Sequence, residues 1–422
     1  VMSFSRSEIA RIEGMKALAV NCHYNLARIP IGFRDIFGHL RLRSVRKFIS
    51  NSYRTRIFLL SDDESGNINS ALNLMNDETL RTHNDVTIYI HTFSNRLNDI
   101  YNHYPQYTTD KNGITLQTID SSFLSIAMLR MNPEHHPANL MDIDTATCTV
   151  KSDFNSLIVG FSETGQEAFR FLYVYGSFVK ADGNKARFQC HAIDKGMRQI
   201  EGTIRYSMPS IIDKELSLYD MGIESNGYWD LLTKIITDLN YVIITISNDD
   251  EAILTAMDIF KKAAQEKKND LNAFRIYVRC YDWHNHRRMV DLAEKLNFAN
   301  KNTGGKIIIF GGINELFTYD MIIRNKVMQS AMQFNKGYEK ADDTAEKIWK
   351  ESFGESAIKD KLRHNPECSR MQVIDDINRS INQNIANCFH KETKIILLGI
   401  NNQVGLDSLM NIIDPREPGK TT

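Results

Sequence analysis

The chain has 422 residues, 24% charged and 42% hydrophobic, with 51 Lys and Arg set against 52 Asp and Glu. This length accommodates two or three domains with separate cores, and the composition excludes a disordered or collagen-like chain. The near-cancelling charge removes the global basic field that drives non-specific nucleic-acid binding, so no nucleic-acid partner is expected.

The six cysteines (Cys22, Cys148, Cys190, Cys280, Cys368 and Cys388) form no CxxC pair, which argues against a zinc site or a disulfide framework and fits a reducing cytoplasm. No apolar run approaches the ~20 residues of a membrane-spanning helix, and no signal segment opens the chain. The chain starts at Val1, so an earlier segment, a membrane domain included, stays open as an expectation. The sequence reads as cytoplasmic, with membrane association reserved for such a segment or for a partner.

Residues 1–50 contain one convincing strand, "MKALAVN", and are expected to be the remodelled or truncated start of a first domain. From residue 51 the chain repeats itself. "RIFLLSDDE" (56–64) and "IITISNDDE" (243–251) are both β-rich runs ending in Asp-Asp-Glu, and helix-like stretches follow both. "VTIYIHTFSN" (86–95) then answers "FRIYVRCYDW" (274–283). "GITLQTID" before "SSFLSIAML" answers "GKIIIFGG" before "INELFTYDMI". Strand and helix thus alternate in each copy, the pattern of a parallel sheet covered by helices.

The expected fold is α/β: two tandem Rossmann-like parallel-sheet domains followed by a helical C-terminal region. The first, partial domain is placed at 51–131 and a polar linker, "NPEHHPANLMDIDTATCTVKSD", at 132–153. The second, complete domain is placed at 154–325 and the helical region at 326–422. In that region "DDTAEKIWKESF" and "MQVIDDINRSINQNIANCFH" carry apolar residues at helical spacing, and "KIILLGI" (394–400) is expected to pack back onto a core.

The second domain opens with "FNSLIVGFSETGQEAFRFL" (154–172), a buried run, a glycine loop and a helix. A dinucleotide loop needs glycines for a tight turn, for close approach of backbone to pyrophosphate, and for close packing of helix on strand. Gly160 and Gly165 meet the first and third needs, while Ser162 takes the middle position. A serine there either presses on a pyrophosphate or bonds a phosphate with its hydroxyl, and a loop kept only for the fold is the bland alternative. Asp194 ends "ARFQCHAID", where a carboxylate either accepts from a ribose diol or is simply an exposed strand end; "VKADGNKA" inserts a turn before it. Asp62, Asp63 and Glu64, like Asp249, Asp250 and Glu251, either cap helices and complement their dipoles or contact a nucleotide or cation. In "CYDWHNHRRM" (280–289), Trp283, His284, His286, Arg287 and Arg288 either stack on a base and hold a phosphate or form a solvated loop. His284 and His286 are two residues apart and do not share a helical face, so a zinc pair is not expected. No nucleophile with a paired His and acid, no HExxH and no Walker lysine emerges, so no catalytic or metal residue is assigned.

The order GFSETG, strand-end Asp194, "IITISNDDEAILTAMDIF", "FRIYVRCYD" resembles RCK (regulator of potassium conductance, TrkA-N-like) domains over about residues 55–325 in two copies. The resemblance implies binding of NAD(H) or another adenine nucleotide and regulation of a potassium channel or transporter partner. By it, Gly160, Ser162, Thr164 and Gly165 approach the phosphates and Asp194 the ribose. Phe161, Glu163, Lys195, Ser247, Asp249, Asp250 and Arg279 complete the candidate nucleotide site. It also implies a homodimer or an intramolecular pair. The tail is similar to a helical region found after such domains in bacterial proteins that carry ryanodine-receptor-like repeats. The expected function is nucleotide sensing; the alternatives are an NAD-dependent oxidoreductase and a nucleotide-responsive stress or defence component.

Overall fold

A computed structural model describes residues 55–76, 80, 86–93, 114–339 and 343–399. The expected strand at 15–21 and the final residues 400–422 lie outside the described residues. The protein is α/β, with parallel sheets and a helical C-terminal region. The described residues divide into two compact units. One gathers 55–128, 279–289 and 310–385; the other gathers 129–278, 290–309 and 386–399.

The first unit contains a three-stranded parallel sheet of β1 (Thr55–Leu59), β2 (Val86–Thr92) and β3 (Ile114–Asp120), in that order. Ile57 pairs with Ile88, which pairs with Leu116, so apolar residues align across the strands. Helix α1 (Glu64–Met75) buries Asn67, Ala71, Leu74 and Met75, spaced to form one helical face, and its apolar members join Ile57, Leu59, Ile88 and Ile90 in a single core. Helix α2 (Ser121–Met131) follows β3 directly, with Asp120 accepting from the N–H groups of Ser122 and Phe123. Gly311, also in this unit, adopts φ +77° against Ser125 of α2, where a Cβ would come within 3.2 Å of the serine oxygen.

The second unit is organised by a six-stranded sheet. Its strands are β6 (Phe154–Val159), β7 (Phe188–Asp194), β8 (Leu216–Asp220), β9 (Tyr241–Ile244), β10 (Arg275–Arg279) and β11 (Lys306–Phe310). Their order is β11-β10-β9-β6-β7-β8, the doubly wound arrangement in which the chain starts mid-sheet, runs to one edge, then returns to run to the other. Central β6 and β9 are almost wholly buried, as strands covered on both faces must be, whereas the end strands β8 and β11 are half-buried. Phe154, Phe169, Phe171, Phe188 and Tyr241 fill the interior; each such side chain contributes roughly 1.5–3 kcal/mol through burial. Helix α3 (Glu163–Tyr175) ends at Gly176, where a Cβ would strike the ring of Phe154 at 2.7 Å.

The polar stretch 132–153 is itself folded. Two short 3-10 turns begin with Pro133 and Pro137, and a two-stranded ribbon pairs β4 (Ile143–Asp144) with β5 (Thr149–Val150). The inserted "VKADGNKA" is a tight hairpin closed by the Val179–Lys185 bridge, with Gly183 at φ +80°. Beyond β11 the chain is helical, ending in a 28-residue helix from Arg370 to Leu397 whose last part, from Ala386, belongs to the second unit. No helix among the described residues is long and apolar enough to cross a membrane.

Candidate functional site

In a doubly wound sheet, ligands bind outside the carboxyl ends of the two strands between which the chain direction reverses. Here those strands are β6 and β9, and the glycine loop leaves the first of them. Gly160 has φ +90°, a conformation that disfavours side chains, and a Cβ there would lie 2.9 Å from the backbone N of Ile246. A Cβ on Gly165 would fall on the Gly160 carbonyl oxygen, so this glycine lets α3 close onto the strand.

Thr245, buried just past β9, donates its hydroxyl to the Gly160 carbonyl at 2.7 Å and ties the two strand ends together. The sequence carried a signal for this residue that motif reading passed over: it is the polar end of the buried run "YVIIT", placed where β9 meets the loop. Ser162 is the N-cap of α3, exposed, with extended backbone and no side-chain bond to the first-turn N–H groups. Phe161 points into the core, while its N–H donates to Asp194 Oδ2 at 2.6 Å. Glu163 is exposed in the first turn, and Thr164 is buried.

Asp194 does more than end a strand. Its second oxygen accepts from the Gly196 N–H at 2.7 Å, so the carboxylate braces the glycine loop against the turn after β7. A carboxylate offers about four lone-pair directions, so each oxygen keeps one for another donor. Lys195 is exposed beside it, and Arg198 reaches across to Asp220 at 2.6 Å, a pair the sequence reading missed.

The second acidic loop flanks the same crevice. Ser247 and Asp250 are exposed and Asp249 is buried. The cap of the following helix, which runs from Asp249 to Glu266, is Asn248, whose side chain accepts from the Glu251 N–H at 3.1 Å. Asp249, Asp250 and Glu251 are that helix's first turn, where negative charge complements the dipole. In the first unit the cap is an aspartate: Asp63 accepts from the Gly66 N–H at 3.0 Å.

The structure therefore brings together Gly160–Gly165, Asp194, Lys195, Ser247, Asp249 and Asp250 around the carboxyl ends of β6, β7 and β9. Arg279 is the last residue of β10 and groups with the first unit, its guanidinium 4.7 Å from the Tyr281 ring centre. His286 is in the first unit too, buried in a helix (Trp283–Ala299) rather than solvated in a loop, with Nε2 3.4 Å from Glu315. Arg287 and Arg288 are exposed on that helix. The side chains of Trp283 and His284 lie outside the described residues. Burial pushes the Cys190 thiol on β7 up to about 12, so it is not a nucleophile near neutrality. The gathered groups are backbone N–H donors at a helix start, a hydroxyl and carboxylates, an assembly suited to binding.

No family model matches the chain, and no curated protein matches it. Among solved structures it is similar to the crystal structure of the GsuK L97D mutant, at 10% sequence identity and a TM-score of 0.33. The match covers 65% of this chain and 52% of that one, so the chain spans about half the length of that structure.

Proposed function

We propose that the chain is a nucleotide-sensing regulatory protein whose ligand lies at the reversal between β6 and β9. The observation that carries this reading is the cradle itself: Gly160 at positive φ, and Gly165 seated on the Gly160 carbonyl, at the one point of a doubly wound sheet where phosphates meet a helix start. NAD(H) or another adenine nucleotide fits the residues present. The first-turn N–H groups of α3 face the phosphates and the spare lone pairs of Asp194 face a ribose diol. Ser162 is the departure that decides between a dinucleotide and a mononucleotide.

Sensing suits these bonds better than turnover does. Asp194 and Thr245 already hold the loop closed from two sides, so a ligand that claims the Asp194 carboxylate competes with the Phe161 N–H and shifts the loop. By the RCK resemblance of the sequence, the output is control of a potassium channel or transporter, and the copies act as an intramolecular pair or a homodimer. The domain limits of 51–131 and 154–325 belong to the same proposal.

The experiment is mass spectrometry of small molecules released from denatured protein, followed by calorimetry with NAD, ADP-ribose, ATP and cyclic nucleotides. If the Ser162 hydroxyl holds phosphate, Ser162→Ala weakens binding by about 0.5–1.5 kcal/mol. If it obstructs a pyrophosphate, Ser162→Gly tightens NAD and leaves mononucleotides nearly unchanged. Failure of every ligand to bind the parent and both variants overturns the reading.

A further inference from the structure

The amino end of the second unit holds a buried cluster with no part in the nucleotide site. His136, 1% exposed, meets the end of the 28-residue helix from the folded stretch 132–153. Its Nε2 lies 2.8 Å from the Arg130 carbonyl, which can only accept, so Nε2 carries the proton. Nδ1 is then a bare acceptor, and at 3.0 Å it takes the hydroxyl proton of Thr393, itself buried on that helix. Tyr175 donates to the Ala386 carbonyl at 3.3 Å and its ring lies 5.2 Å from His136 and 5.7 Å from His390. Phe389 is buried in the same segment. Among the described residues, the side-chain hydrogen bonds that reach 386–397 from outside the helix come from one neutral imidazole and one tyrosine.

We propose that His136 is a proton-operated latch: neutral, it holds Ala386–Leu397 on the second unit, and protonated, it lets that segment go. A second proton turns Nδ1 into a donor facing a hydroxyl that had been donating to it, and Thr393 loses the acceptor for its own proton. The new cation also sits in the interior, with charged neighbours on each side. Arg130 lies beside it, its guanidinium 3.4 Å from Glu167, an anion already shared with Arg170. His135 from its own stretch and His390 from the helix act on it directly, both as like charges when protonated; one step further out Glu134 acts on His135, Lys394 on His390, and Lys391 and Glu392 on Cys388. Tyr175 adds no charge, because burial holds its phenol far above its usual range.

Burial, followed by the charges of His390 and His135, keeps the His136 pKa below its usual value despite the bond to Arg130; burial also lowers His135 and His390. His136 thus takes up a proton more readily when the segment is released than when it is docked. Docking is therefore complete above the ordinary histidine value of about 6.5 and weakens as pH falls through the lowered one.

Amide exchange of the full chain, corrected for intrinsic rates, reads this directly. Protection across 386–397 is expected to fall on going from pH 7.5 to 5.0, approaching about tenfold per pH unit for one proton between the ordinary histidine value and the lowered one. His136→Gln keeps a donor toward Arg130 and does not titrate, so its protection is expected to be lower at pH 7.5 and to lose most of its pH dependence; His390→Gln, which removes a less buried imidazole, keeps the larger part of it. Equal protection of the parent at both pH values overturns the latch, as does an undiminished pH dependence in His136→Gln. Should His136→Gln be undocked throughout, the imidazole resonance of His136 in the parent decides: titration at or above 6.5 overturns the proposal.

Discussion

The two Asp-Asp-Glu junctions share their letters and differ in construction. In the first unit the chain leaves β1, Asp63 caps α1, and Asn67 turns inward: its amide donates to the carbonyls of Ser61 and His91 and accepts from the Ser61 N–H, sewing the loop to the end of β2. In the second unit the helix begins two positions earlier in the motif, Asn248 caps it, and the residue that aligns with Asn67 is Leu254, 59% exposed. The first junction is stitched shut by polar bonds. The second opens beside Gly160, because β9 neighbours β6 where the strand order reverses. The motif marks a passage from strand to helix, and the strand order around it decides whether that passage becomes a ligand edge.

The largest effect that sharpens this contrast is expected at Gly165. In Gly165→Val the new side chain meets the Gly160 carbonyl and, at 3.3 Å from its Cβ, the Thr245 hydroxyl. Nucleotide binding should be lost in calorimetry, with a stability cost of about 1–3 kcal/mol from forced separation of helix and strand. Parent-like affinity in this variant would mean that the ligand edge lies elsewhere.

The middle-sized effect tests the stitching. Asn67→Ala leaves buried partners in the first junction without their bonds, at about 1–3 kcal/mol, and should speed native-state amide exchange across β1 and β2. Leu254→Ala removes an exposed side chain at the aligned position and should stay within about 0.5 kcal/mol. Similar costs at the two positions would erase the distinction between a closed junction and an open one.

Much of this was legible in the sequence. Alternating apolar runs and acidic loops give the parallel sheets, and the glycine spacing of 160–165 gives the tight turn at the sheet reversal. What was not legible depended on partners far apart in the chain. Asp194 reads as a ribose ligand from its place at a strand end, yet whether it also braces the Phe161 N–H depends on how the loop folds back 33 residues away. Thr245 looks like the frayed end of a strand until it is seen to bond Gly160. His136 belongs to a stretch whose polarity and prolines suggest a linker, but its role rests on Thr393, 257 residues onward, which no local pattern announces.

The smallest effect separates capping from charge. Asp63 and Asn248 each accept the N–H of the third helical residue, so replacing either by Ala should cost about 0.5–2 kcal/mol, and typically ~1. Asp250 matches Asp63 in the motif but lies inside the first turn of its helix, where its charge meets the dipole and is worth about 0.3–1 kcal/mol. Salt distinguishes the two mechanisms, because a dipole interaction at an exposed helix end is screened within about 3 Å at 1 M ionic strength, while a short directional hydrogen bond is much less affected. Urea denaturation in low and high salt should therefore leave the cost of Asn248→Ala nearly unchanged and shrink that of Asp250→Ala. If Asp250→Ala kept its full cost in high salt, the second junction would be held by its aspartate as the first is, and the difference drawn between the two copies would reduce to the residues around them.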